Sequence, residues 1–128
     1  MGAAGVRAAR VRAAPPPVVA RVAVFCPDLL FGSKLEGGLR AAGHEVTLLS
    51  SVDDARGADA EVLVVDLTSD VDARVALGGV SGPRTLAFYS HVEAETRAAA
   101  EAAGFDLVVP RSRMAREMGA LVDKLAAR

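Results

Sequence analysis

The sequence predicts an α/β fold in which five parallel strands are wrapped by crossover helices. Two observations carry that expectation. Five short apolar runs recur at residues 22–26, 45–49, 61–67, 85–89 and 105–109, nearly continuous in apolar and β-branched residues, as in strands buried on both faces. Between them lie segments with helix signals, the alternation expected of β–α–β units.

The first helix is predicted over residues 33–42. Ser33-Lys34-Leu35-Glu36 has the spacing of a capping box, and Gly43 supplies a left-handed stop. Two short helices follow, at residues 52–56 and at 71–77 before Gly78-Gly79. The fourth opens on a second capping box, Ser90-His91-Val92-Glu93, with Glu93 and Arg97 spaced to pair, and ends at Gly104. The fifth, residues 112–127, puts Met114, Met118, Leu121, Val122 and Leu125 on one stripe, which reads as core. Right-handed crossovers arrange such units as a flavodoxin-like (βα)5 three-layer sandwich with strand order 2-1-3-4-5. Ligands of that architecture sit beyond the carboxyl ends of strands one and three.

Composition narrows the function. No uncharged apolar stretch is long enough to span a bilayer. A net charge of -1 provides no field to draw nucleic acid. Cys26 is the single cysteine, so neither an internal disulfide nor a cysteine-built zinc site can form, and a reducing cytoplasm is the expected setting. Residues 1–19 carry Arg7, Arg10, Arg12 and Pro15-Pro16-Pro17 without an acidic group and read as a flexible leader, with residues 20–128 as the domain. The leader lacks the Ser of a transit peptide, and Val6 stands where a myristoylation signal needs Ser or Thr.

The strand ends bring a defined set of residues to one edge: Cys26-Pro27-Asp28, Asp66 with Thr68, Ser90-His91, and Pro110-Arg111-Ser112. With Val62-Leu63-Val64-Val65-Asp66 and Ala103-Gly104-Phe105-Asp106 as its best stretches, the chain resembles a response-regulator receiver of the chemotaxis-regulator-like kind over roughly residues 20 to 125. The resemblance implies a phosphoacceptor position at Asp66, a switch hydroxyl at Ser90, and Arg111 near the position of a Lys. It also implies an acidic pair that holds Mg²⁺, but Cys26 and Pro27 occupy those places. Asp28 is the one carboxylate left as a cation ligand. The expectation is therefore an atypical or pseudo-receiver of two-component signalling, with Mg²⁺ binding in doubt and phosphorylation at Asp66 weak or absent. Arg111 is expected to reach Asp66 in a standing ion pair. The resemblance further implies a protein partner or homodimer through the fourth helix, fifth strand and fifth helix.

Each of these residues also has a plainer reading. Asp66 is a common kind of strand terminator, Ser90 is explained by capping, and Cys26 by burial as a small hydrophobe with an unactivated thiol. His91, Asp66, Asp28 and Cys26 are metal-ligand types without a diagnostic spacing. Leu29-Leu30-Phe31 reads as a loop that needs apolar cover, either a staple onto the first helix, burial under the adjacent loop, or a partner. Gly32-Ser33-Lys34 lacks phosphate-loop spacing, no GxGxxG follows a strand, and residues 26–32 form neither a flavin nor a cobalamin loop. The leading expectation is a stand-alone binding module and not an enzyme. The alternative is a flavodoxin-like small-molecule-binding or enzymatic domain that uses the same edge.

Overall fold

The computed structural model describes residues 19–68, 77, 80–90 and 94–127. The predicted leader up to residue 18, nearly all of the predicted helix at 71–77, and residues 91–93 of the second capping box lie outside them.

Five strands, β1 (Arg21–Phe25), β2 (Glu45–Leu49), β3 (Val62–Asp66), β4 (Arg84–Tyr89) and β5 (Leu107–Pro110), form one sheet in the order β2-β1-β3-β4-β5. Every pairing is parallel, in keeping with the nearly continuous apolar runs. β3 lies at the centre and is buried throughout, including its terminal Asp66. β5 begins two residues later than predicted, because the Asp106 carboxylate turns back to accept from the Thr85 amide at 2.8 Å and its hydroxyl at 3.2 Å.

The described helices are α1 (Leu29–Ala41), α2 (Val52–Arg56), α3 (Ala94–Ala103) and α4 (Arg111–Ala126). The last two are the predicted fourth and fifth helices. α1 and α4 cover one face of the sheet, packing Leu35, Leu39, Met114, Leu121, Val122 and Leu125 on Val22, Val24, Val64 and Phe88. The whole predicted α4 stripe is buried. On the other face Ala55 of α2, Leu77 and Ala100 of α3 pack on Phe25, Leu63, Val65 and Ala87.

The start of α1 corrects the sequence reading. Its N-cap is Asp28, whose Oδ1 accepts from the Leu30 and Phe31 amides at 3.1 Å each. Phe31, Leu35 and Leu39 are all buried at i, i+4 and i+8, so the core stripe already runs through the supposed loop. Ser33 is an exposed residue of the second turn, and Glu36 reaches forward to Arg40 at 3.0 Å instead of back to a cap. The predicted stop holds: Gly43 follows the helix at φ 98, a conformation only glycine adopts without strain.

Candidate functional site

β1 and β3 end side by side, and this brings Cys26, Asp28 and Asp66 to one edge of the sheet. Asp66 is only 1% exposed, and both of its oxygens are engaged. Oδ1 accepts from the Thr68 amide at 2.7 Å and the Thr68 hydroxyl at 2.6 Å. Oδ2 faces the Cys26 thiol, which donates to it at 3.4 Å and also lies 3.4 Å from the Asp28 carbonyl. Burial, then the charge of Asp66 and its hydrogen bond, push the Cys26 thiol up to about 12. The thiol is thus a protonated donor at neutral pH and not an activated nucleophile.

Asp28 is committed in two directions. Oδ1 caps α1, and Oδ2 accepts from Arg111 Nη2 at 3.0 Å. The Phe31 amide, followed by the Arg111 hydrogen bond and charge and the Leu30 amide, holds its carboxyl below the usual range despite some desolvation. The Arg111 guanidinium lies over the Phe31 ring at 4.2 Å, and Phe31 in turn meets Phe88 at 5.2 Å with the rings tilted by 58°. The ion pair expected between Arg111 and Asp66 is therefore replaced by one between Arg111 and Asp28. The rigid fork is seated by an aromatic face that an ammonium would use less well. Ser90 lines a recess of about 350 Å³ together with Phe31, Thr68, Arg111, Ser112 and Ala115, so it shares a cavity with Arg111 and the residue that binds Asp66.

These side chains do not fit Mg²⁺. That ion wants a near-octahedral shell of oxygens, part of it from carboxylates. Here Cys26 offers a protonated thiol, Pro27 has no side-chain donor atom, and the outward oxygen of Asp28 already holds a fixed cation. Among the described residues no three His, Cys, Asp or Glu side chains cluster closely enough to hold a metal; His91 lies outside them.

Phe31 is the site residue that sequence reasoning missed. The signal for it was the four-residue spacing to Leu35. Leu29 and Leu30, by contrast, find neither of the covers expected within the fold: they belong to α1 itself and are 81% and 87% exposed.

No protein-family model matches the sequence, and no curated protein matches it. Similarity appears in three dimensions. The chain is similar to an atypical orphan response regulator with a phosphorylation-independent regulatory mechanism, at TM-score 0.70 and 17% identity over 84% of this chain and 95% of that one. A response regulator from Thermotoga maritima is similar at TM-score 0.73 and 12% identity, over 87% and 100%. The receiver domain of the Francisella response regulator 1452 matches at TM-score 0.73 and 16% identity, over 85% and 98%. At these identities the similarity shows the fold, which is that of response-regulator receiver domains.

Proposed function

We propose that this chain, with residues 20–128 as its folded unit, is an atypical receiver-like signalling module that acts by binding a protein partner and not by accepting a phosphoryl group on Asp66. The observation that supports this reading is the engagement of both Asp66 oxygens behind a 1% exposed surface. In-line attack on a phosphodonor requires an accessible carboxylate oxygen and a cation beside it to offset phosphate charge; Asp66 presents no exposed oxygen, and among the described residues no carboxylate set stands beside it to hold a metal cation. The phosphorylation-independent mechanism of the atypical orphan regulator, a structure similar to this one, points the same way. We place the partner on the α3, β5 and α4 face, where Arg97, Glu101, Arg113, Arg116 and Glu117 form a partly exposed set of paired charges.

The test is incubation with a small phosphodonor and Mg²⁺, followed by intact mass of the wild type and of Asp66→Asn. No mass gain is expected in either. A stoichiometric gain of one phosphoryl group in the wild type, absent from the variant, overturns the proposal.

A second reading, a small-molecule-binding domain, draws on the recess lined by Thr68, Ser90, Arg111 and Ser112. A native-state ligand raises thermal stability by mass action. A rise in Tm with any of a panel of nucleotides, flavin or cobalamin favours this reading over the first.

A further inference from the structure

β2 forms one edge of the sheet, and its main chain divides between two sides. The Glu45 amide donates to the Ala20 carbonyl at 3.0 Å. In a parallel ladder a residue that bonds one neighbour turns both of its groups that way, and the next residue turns both away. Glu45, Thr47 and Leu49 therefore bond β1, while the N–H and C=O groups of Val46 and Leu48 point out past the edge. Groups so placed are a template for a further strand.

Their register is self-complementary. In an antiparallel pairing of β2 with β2 of a second copy, about a two-fold axis at Thr47, Val46 of each copy stands opposite Leu48 of the other as a hydrogen-bonded pair. The two Thr47 residues face each other between these pairs. Roughly half of the bonds in that ladder would end on the Val46 carbonyls. Thr47 and Leu48 are exposed and uncharged, so no side-chain charge at the centre of the strand opposes it.

The Val46 carbonyl, however, is already taken. Arg40, in the last turn of α1, reaches it with Nη2 at 2.9 Å, and the same nitrogen bonds Glu36 Oε2 one turn back at 3.0 Å. An N···O distance of 2.9 Å is that of a ladder bond. The guanidinium thus stands where the amide of a sixth strand would stand, in a lane only about 4.8 Å wide. A pairing strand has to expel it and give up a charge-assisted bond to the carbonyl. We propose that Arg40 is an edge guard, aimed by Glu36, and that what it excludes is β2 of a second copy of this chain paired antiparallel about Thr47. The guard lies at the opposite edge of the sheet from β5, so it acts independently of the α3, β5 and α4 face and of the state of Asp66.

Sedimentation velocity of the full chain over a concentration series tests it, with far-UV circular dichroism to establish that each variant is folded. Arg40→Ala should self-associate at concentrations about tenfold or more below those the wild type requires. Arg40→Gln, which keeps a polar helix-forming side chain without the guanidinium fork, should move in the same direction. Adding Thr47→Lys to Arg40→Ala sets like charges opposite each other across the axis and should return association to the wild-type level. An equimolar mixture of Arg40→Ala carrying Thr47→Lys and Arg40→Ala carrying Thr47→Glu should associate where neither does alone. Arg40 variants that associate no more readily than the wild type overturn the proposal and leave Arg40 as a tie between α1 and β2. So does association that Thr47→Lys leaves intact, which belongs to another surface or to unfolded chains, and so does a mixture that stays apart.

Discussion

Arg111 holds Asp28 at 3.0 Å across 83 positions of sequence, and so ties the first turn of α4 to the N-cap of α1. The pair is partly exposed, so its Coulomb contribution is screened by solvent. The stack of Arg111 on Phe31 adds roughly 0.5–1 kcal/mol. Arg111→Ala is expected to lower Tm, and Arg111→Lys to recover only part of the loss, because an ammonium keeps the charge without the planar fork.

The pH dependence of that pair follows from the sign of the Asp28 shift. Its folded carboxyl is held below the unfolded value, so its stabilisation is present above about pH 4 and disappears as pH falls through the depressed folded value. Asp28→Asn retains a good helix cap but loses the charge. Its Tm should lie below the wild type at neutral pH and converge with it under acid. A variant as stable as the wild type at neutral pH would show that Asp28 acts by capping alone.

Cys26 is shifted in the opposite sense. With the folded thiol raised from 9.0 to about 12, its contribution is present below the unfolded value and is lost as pH rises toward 12. At pH 8 the thiolate fraction is roughly a thousandth of that of an ordinary cysteine, since each tenfold step corresponds to one pH unit. Alkylation of native protein should be slower by a comparable factor and become fast in denaturant. Rapid labelling of the native chain would contradict the protonated, Asp66-bound thiol.

The strand order was legible because the inner strands β1, β3 and β4 are buried on both faces and are written in apolar residues almost without interruption, whereas the edge strand β2, in which only Val46 is buried, was marked by its place in the alternation. α4 was legible for a related reason: its buried stripe has a strict helical period. The start of α1 was not, because Asp28 and Ser33 are both good N-caps and only the tertiary demand of Phe31 for Phe88 selects the first. Arg111 could be placed on the right edge from its position after β5. Its partner could not, since choosing Asp28 over Asp66 depends on where the Phe31 ring lies. The Cys26 thiol was foreseen as inert, but not as the donor that occupies Asp66.

His44 carried no sequence signal, yet it joins three segments. Its buried ring accepts from the Ala20 amide at Nδ1 (3.0 Å), so Nε2 carries the hydrogen that Asp123 of α4 accepts at 2.8 Å. Ala20 is 1% exposed, so removing the ring strands a buried N–H. His44→Ala is expected to cost roughly 1–3 kcal/mol, read as a lower urea midpoint at unchanged slope. An unchanged midpoint would mean that water replaces the ring without penalty.

Gly37 and Gly38 are neighbours in α1 with opposite surroundings, and the contrast tests how closely α1 and α4 pack. Each costs the helix roughly 0.5–1 kcal/mol relative to Ala. A Cβ at Gly37 would meet nothing within 4 Å, whereas one at Gly38 would fall 2.4 Å from Met118 Sδ and 3.1 Å from its Cε. Gly37→Ala should therefore stabilise the protein by close to the full propensity gain. Gly38→Ala should fall short of it, because the Met118 chain must swing out of a buried position on α4 to make room. The decisive measurement is the same pair of substitutions in a Met118→Ala background, where the obstructing thioether is gone and both glycine replacements should gain alike. Equal gains in the wild-type background would show that Met118 yields at no cost, and that Gly38 is not needed for the approach of the two helices.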